Sequence, residues 1–337
     1  MANLIFPILN QILRPNARGG VRTFVGENVL PVKSMENGSG AFGDLTWGKN
    51  PWAEMSQAAT WFAILLLSAL VVILYAPVLR MLARQWWFDP NYGHGMFVPI
   101  FAAYVLWRER ERWNVLPLRP SNSGIAIMVF AIGLRVLGGL GAEVFTTRLS
   151  LLILIIGSVM FLAGRRVLGA IAFPIGYLAF MIPLPAIVYY QLTLPLQLLA
   201  SRLGAGGLVA LGVHTVREGN LLILPNCTLN VVEACSGIRS LLSLVAAVVA
   251  YGYLAEPSSW KRTVLALAAI PFAIVTNGLR LVATGLLSFS FGPSVDSGAV
   301  HLALGLSFFA LAFLSILLIH RMLCPRSRDK RAAGVNS

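Results

Sequence analysis

Four residues carry most of the chemistry that this sequence could perform. They are Cys235 and Arg239 in NVVEACSGIRSLLSL, Arg280 in TNGLRL and His301 in HLALG. The reactive form of cysteine is the thiolate, and a helix amino terminus or a nearby cation favours it. Cys235 has both within reach, because it stands at the start of a long apolar run and Arg239 follows one helical turn later. The imidazole of His301 can take and return a proton. The guanidinium of Arg280 can steady a thiolate, or the oxyanion that forms when a carbonyl is attacked. Asn277 lies on the same stretch as Arg280, and Glu233 is a sequence-local carboxylate beside Cys235.

A second polar group lies upstream in FDPNYGHGMFVPI, where Asp89, Tyr92 and His94 precede an apolar run. His94 and Tyr92 are candidates for touching a substrate or supporting the catalytic groups, and Gly93 and Gly95 allow close backbone approach. Plainer readings stand beside these. Cys235 could form a disulfide with Cys227, eight residues earlier. The arginines could pair with Glu233 or with carbonyls at helix ends, and His301 could be a helix cap. Arg135 has no sequence-local partner, so it either meets an acidic group on a substrate or snorkels. Cys324 reads as a plain thiol near the tail. The His, Cys and Asp spacings match no recurrent ligand pattern, so neither a metal nor a cofactor is expected.

The elements that position these residues are membrane helices. Of 337 residues, 57% are hydrophobic and only 12% charged, and the mean hydropathy is +0.77. A soluble domain would carry about twice that charged fraction. The fold class is therefore an all-α polytopic membrane protein. Eight spans are expected, near 59–79, 93–107, 123–141, 146–163, 167–187, 236–254, 262–287 and 300–320. Pro99 lies inside the second, and Pro271 is expected to kink the seventh. YYQLTLPLQLLASRLGAGGLVALG, residues 189–212, reads as an amphipathic segment that lies in the interface or re-enters the bilayer. GNLLILPNCTLNVVEAC then reads as a short extracytoplasmic hairpin before the sixth span.

The net charge of +13 does not point to nucleic acid, because the basic residues sit in short loops and tails. With the amino terminus placed inside, 18 of the 26 Lys and Arg fall on the cytoplasmic side, 5 outside and 3 within spans. Both termini are then cytoplasmic. Arg80 and Arg84 fit this poorly unless the first helix is drawn differently. The domain reading is a mobile cytoplasmic arm over 1–58, a transmembrane domain over 59–323 and a basic tail over 324–337. The start MANLIFPILNQIL lacks the basic region and cleavage site of a signal peptide. This topology brings Cys235, Arg280 and His301, from three spans, to the outer face.

EACSGIRS, NGLR and HLALG, in that order on successive helices, resemble the signature of the exosortase/archaeosortase family. YGHG followed by VP is similar to the family's upstream Ser-His-Gly region, with Gly93 where serine is common. The resemblance covers about residues 85–310. It implies a cysteine-dependent sorting peptidase or transpeptidase in the bacterial inner membrane, with Cys235 as nucleophile and Arg280 and His301 as its partners. Arg239 matches the arginine of the cysteine motif. Implied partners are the bilayer and secreted proteins ending in a short sorting motif (best known as Pro-Glu-Pro), a membrane helix and a basic cluster. The acceptor nucleophile, water or an amine, is left open. The alternative is a non-enzymatic component of exopolysaccharide export or assembly. A transporter is a third reading, but its polar groups would gather at the midplane rather than at one surface.

Overall fold

The structure is a computed structural model, and the residues described are 57–141, 143–231, 237–292 and 298–323. Cys235, Glu233 and Cys324 lie outside them, as do the expected tail and all but the end of the expected arm. Eleven helices and three strands make up the described fold. Helix α1 is Gln57–Phe88, followed by a 3₁₀ turn at Gly93–Met96, α2 at Phe97–Arg108 and α3 at Arg110–Asn114. Then come α4 (Ser123–Leu140), α5 (Val144–Leu162), α6 (Gly164–Ala170), α7 (Ala172–Tyr177), a 3₁₀ turn at Leu178–Met181 and α8 (Ala186–Ala210). Strands β1 (Val216–Glu218), β2 (Leu221–Ile223) and β3 (Thr228–Asn230) precede α9 (Gly237–Ala255), α10 (Ser259–Phe291) and α11 (Gly298–Leu323).

Seven of these helices, α1, α4, α5, α8, α9, α10 and α11, are long and apolar enough to cross a bilayer. The chain is an all-α, multi-pass membrane protein. Exposed Leu, Ile, Val and Phe side chains stud the outside of α1, α4 and α11, as expected where the solvent is lipid. Two expected spans differ from their sequence reading. The second is a 3₁₀ turn joined to a helix of 12 residues, about 18 Å at 1.5 Å per residue. The fifth is broken into α6, α7 and a 3₁₀ turn. Gly164 at φ +85° opens the first of these pieces, because Arg119 O would meet any Cβ there.

Both pieces nevertheless run the depth of the bundle. Trp86 Nε1, near the end of α1, donates to Met181 O. Further along, Tyr177 Oη donates to Ala246 O, and Phe173 stacks on Tyr253 at 3.5 Å. Tyr253 in turn donates to Glu109, just past α2. The bundle therefore has two ends, one marked by Trp86, Met181 and Gly237, the other by Glu109, Tyr253 and Glu256. Helix α1 extends to Phe88, which places Arg80 and Arg84 in its last turns.

The segment read as amphipathic over 189–212 belongs, as far as Ala210, to the continuous helix α8. All its close partners lie at one end. A Cβ on Gly237 would come near Leu196, Gly278 touches Leu203, and Gly285 touches Leu208. Increasing numbers match increasing numbers, so α8 runs parallel to the last part of α10. Helix α10 has 33 residues, about 50 Å, where a hydrocarbon core needs roughly 30 Å. The surplus forms a cap. Leu281, Val282 and Leu286 from α10 and Ala200 and Leu208 from α8 pack with Leu222, Leu224, Leu229 and Val231.

The strands form an antiparallel meander, β1-β2-β3, with Arg217 opposite Leu222 and Leu222 opposite Leu229. Gly219, at φ +63°, makes the two-residue β1–β2 connection, a conformation cheap only for glycine. The expected hairpin is β2–β3. Leu222 and Leu229 are fully buried, and burying such a side chain contributes about 2 kcal/mol. Below the cap, Leu244, Val248, Leu265, Ala269, Ala273, Ala312 and Ile316 form the separate core of the α9–α10–α11 bundle. Asn277 and Arg280 sit on α10 at the junction of these two cores.

Candidate active site

Arg280 and His301 meet across α10 and α11. Arg280 Nη2 lies 2.8 Å from His301 Nε2. A guanidinium is only a donor, so Nε2 accepts and the imidazole proton in this state is on Nδ1. Gly305, one turn along α11, explains the closeness: a Cβ there would stand 3.3 Å from Arg280 Nη2. The glycine of HLALG therefore leaves the flat face on which the guanidinium lies. Arg280 Nε is buried without a hydrogen-bond partner.

Arg239 comes from the second turn of α9. Its Nε donates to Asn91 Oδ1 at 3.2 Å, and it lies close enough to Arg280 for the two charges to repel. Asp89 and Tyr189 also act on it electrostatically. Among the described residues neither Arg239 nor Arg280 has an ion pair with a carboxylate. Two neighbouring cations in a low-dielectric setting favour whatever anion arrives or forms between them.

Asn277, one turn before Arg280, is buried, and its Oδ1 has no partner. Its Nδ2 faces the first residue of α9, where a Cβ on Gly237 would meet it at 3.1 Å. The glycine of CSGIR is thus the contact that brings the start of α9 against Asn277. Ser240, Thr276, Asn277 and Arg280 line one narrow cavity with Phe308 and Phe309.

The upstream cluster divides. Tyr92 packs against Tyr189 with ring centroids 6.1 Å apart. Burial, and after it Tyr189 and Asp89, push its phenol up to about 12, so it is a neutral donor. His94 lies in the 3₁₀ turn, half-buried, with Nδ1 unpartnered. No hydrogen bond joins it to Arg239, Arg280 or His301. The residue that connects this cluster to the arginines is Asn91, which the sequence reading passed over; its position inside DPNYGHG was the available signal. Arg135 stacks its guanidinium over Tyr75 at 5.4 Å.

Cys235 and Glu233 lie outside the described residues, and with Cys235 the question of a disulfide to Cys227. Cys227 itself packs against the cap core. Among the described residues no three His, Cys, Asp or Glu side chains gather as a metal site. No curated protein and no solved structure matches the chain. Residues 86–318, which contain every candidate residue above, match the family model of the transmembrane exosortase. The chain belongs to the transmembrane exosortase family.

Proposed function

We propose that the protein is a cysteine peptidase or transpeptidase that cleaves the carboxy-terminal sorting tail of exported proteins. The observation that carries this reading is the hydrogen bond between Arg280 and His301, with Arg239 beside it and no ion pair from either arginine to a carboxylate among the described residues. Cys235 precedes Gly237 by two residues, a length of chain that reaches at most about 7 Å. Gly237 faces Asn277, one turn from Arg280. Covalent geometry thus bounds how far Cys235 stands from Gly237, and the proposal puts its sulfur beside the arginine–histidine pair.

The chemistry follows from the donors. The Cys235 thiol gives its proton to His301 Nε2, which requires Arg280 to release that nitrogen. The freed N–H groups of Arg280 turn to the oxyanion as sulfur bonds to the scissile carbonyl carbon. Collapse of this intermediate breaks the C–N bond, and His301 returns the proton to the leaving amine. The thioester then passes to water or to an amine acceptor.

Orientation rests on charge. Arg108, Arg110, Arg112, Arg119, Arg165, Arg166, Lys261, Arg262 and Arg321 belong to the Glu256 end of the bundle, whereas Arg80, Arg84, Arg148, Arg202 and Arg217 belong to the site end. The positive-inside bias makes the Glu256 end cytoplasmic and the site end exoplasmic. A substrate helix would dock laterally in the inner membrane and present its juxtamembrane motif beneath the cap.

The test uses the full chain with an exported protein ending in a short motif, a membrane helix and a basic cluster. Cys235→Ala and Cys235→Ser abolish its processing, and Cys227→Ala retains it. Equal loss in all three would indicate a disulfide instead of a nucleophile. Full function after thiol blocking would favour a non-enzymatic role in polysaccharide export.

A further inference from the structure

The basic end of the bundle, far from the arginine–histidine pair, carries a groove of about 480 Å³ between α1, α5 and α6. Leu67 and Val71 of α1, Ile155 and Val159 of α5 and Val167 of α6 line it, with Trp113 of α3 beside them. Val71, Ile155 and Val159 also pack on the main core around Tyr75 and Leu151. The hydroxyls in the wall belong to Ser68 and Ser158, and Ser158 donates its own to Leu154 O. The Trp113 N–H is likewise spent, on Leu106 O at 3.0 Å. Such a wall suits hydrocarbon and not a hydrogen-bonding ligand.

Its size narrows the choice. From Ile155 to Leu162 the groove follows α5 for about 10 Å. A helix about 10 Å wide would need roughly 800 Å³ over that depth, more than the groove offers. A single flexible chain fits, and it restores the dispersion contacts that an irregular apolar surface otherwise lacks.

Positive charge stands at one end. Ala163 lines the groove where α5 stops. Its carbonyl accepts from the backbone N–H of Arg119 at 3.2 Å, and Gly164 leaves no room for a Cβ against Arg119 O. Arg165 and Arg166 follow at once in α6, and all three arginines are exposed. Among the described residues none of the three has an ion pair with a carboxylate, whereas Arg112 is paired with Glu109. Val115 and Leu118, exposed apolar residues, follow Trp113. That mixture of indole, arginine and exposed aliphatic groups belongs where headgroups meet hydrocarbon.

Hydrocarbon below and unpaired guanidiniums above describe one ligand. We infer that the groove holds an acyl chain of an anionic glycerophospholipid from the leaflet at the basic end, with its phosphate at Arg119, Arg165 and Arg166. The chain completes the packing between α1 and α6, and the phosphate answers the arginines. The inference needs neither Cys235 nor a substrate, so it stands apart from the peptidase reading.

The experiment titrates the full-length protein in mild detergent with dioleoylphosphatidylglycerol or dioleoylphosphatidylcholine, and native mass spectrometry counts the bound lipids. The first phosphatidylglycerol should bind about 10- to 100-fold more tightly than the first phosphatidylcholine, a few-fold for each arginine. Changing Arg119, Arg165 and Arg166 together to Gln should erase the preference. Ser158→Trp, which fills the groove and leaves the arginines, should weaken the first phosphatidylglycerol by about 10-fold. Equal affinity of the two lipids for the parent protein overturns the site, and that comparison needs no variant to fold. Undiminished phosphatidylglycerol binding in folded Ser158→Trp also overturns it, because the arginines would then attract lipid without the groove. A dimer that Ser158→Trp dissociates would give the groove to a second copy of the chain and end the lipid assignment.

Discussion

Each end of α11 carries a histidine, and the two are built into opposite surroundings. His301 accepts a hydrogen bond from Arg280, which has no ion pair with a carboxylate among the described residues. His320, about 28 Å further along the helix, is enclosed by its own chain. Tyr251 Oη lies 2.8 Å from its Nδ1, and Glu256 Oε2 lies 3.2 Å from its Nε2. With tyrosine donating and the carboxylate accepting, both ring nitrogens are satisfied in the neutral imidazole. Glu256 is engaged further: Lys261 lies 3.7 Å away, and Arg262 Nε donates to the Glu256 carbonyl. This second site is a clamp that ties α9, α10 and α11 together. The difference teaches what separates a clamped histidine from one that the proposed chemistry can use. The clamp closes its electrostatics internally, whereas among the described residues the two guanidiniums at the other end have no ion pair with a carboxylate.

The largest expected effect separates these roles directly. His301→Ala should lower processing by about 10²–10⁴-fold, the range for losing a general acid–base, with the thermal midpoint in detergent nearly unchanged. His320→Ala should do the reverse, lowering the midpoint by a few degrees while activity per folded molecule persists. If the two results were exchanged, the comparison would collapse.

Arg280→Lys comes next. It keeps the charge but loses the planar fork that can serve both the imidazole and the oxyanion. A fall of about 10²–10³-fold in turnover is expected, read as kcat more than KM. A change confined to KM would make Arg280 a docking residue.

The acid side of the stability curve sharpens the clamp. The His320 hydrogen bond, more than any other cause, holds the Glu256 carboxyl below its usual value. A depressed carboxyl contributes stability that is present above its unfolded value, about 4.3, and is lost as pH falls through the folded value. Thermal midpoints measured from pH 6 down to pH 3 should therefore fall, and Glu256→Gln should flatten that part of the curve. An unchanged slope in the variant would show that other carboxyls govern it.

Gly305→Ala should have the smallest effect. Its Cβ would stand 3.3 Å from Arg280 Nη2, the mobile tip of a side chain, so the fold should give way at a cost of about 1 kcal/mol or less. Processing should drop more than stability does, because the guanidinium is displaced from His301. Loss of folding without loss of specific activity would remove the glycine from the site.

Much of this architecture was legible in the residues. Long apolar runs announced α1, α4, α5, α9, α10 and α11, because a bilayer demands a length that composition reveals. The pairing of Arg280 with His301 could be anticipated, since both fall at the same end of adjacent spans. The continuous α8 could not, because its run is only weakly apolar and carries Pro195. Neither could the breaks at α6 and α7, where Gly164 serves an approach to Arg119 that is visible only once the two segments meet.

By itself the sequence determined a polytopic helical protein, its family, the side on which its basic residues gather and the chemical kinds of residue at its site. The tertiary structure alone decided that α10 outruns the membrane to carry a cap, that Asn91 reaches Arg239 from 148 residues away, and that one histidine is clamped while the other faces an arginine. The reason is physical. Period and composition report how each helix meets its solvent, whereas partner choice depends on close contacts such as Gly237 on Asn277 and Gly305 on Arg280. Those contacts exist only after distant segments have packed.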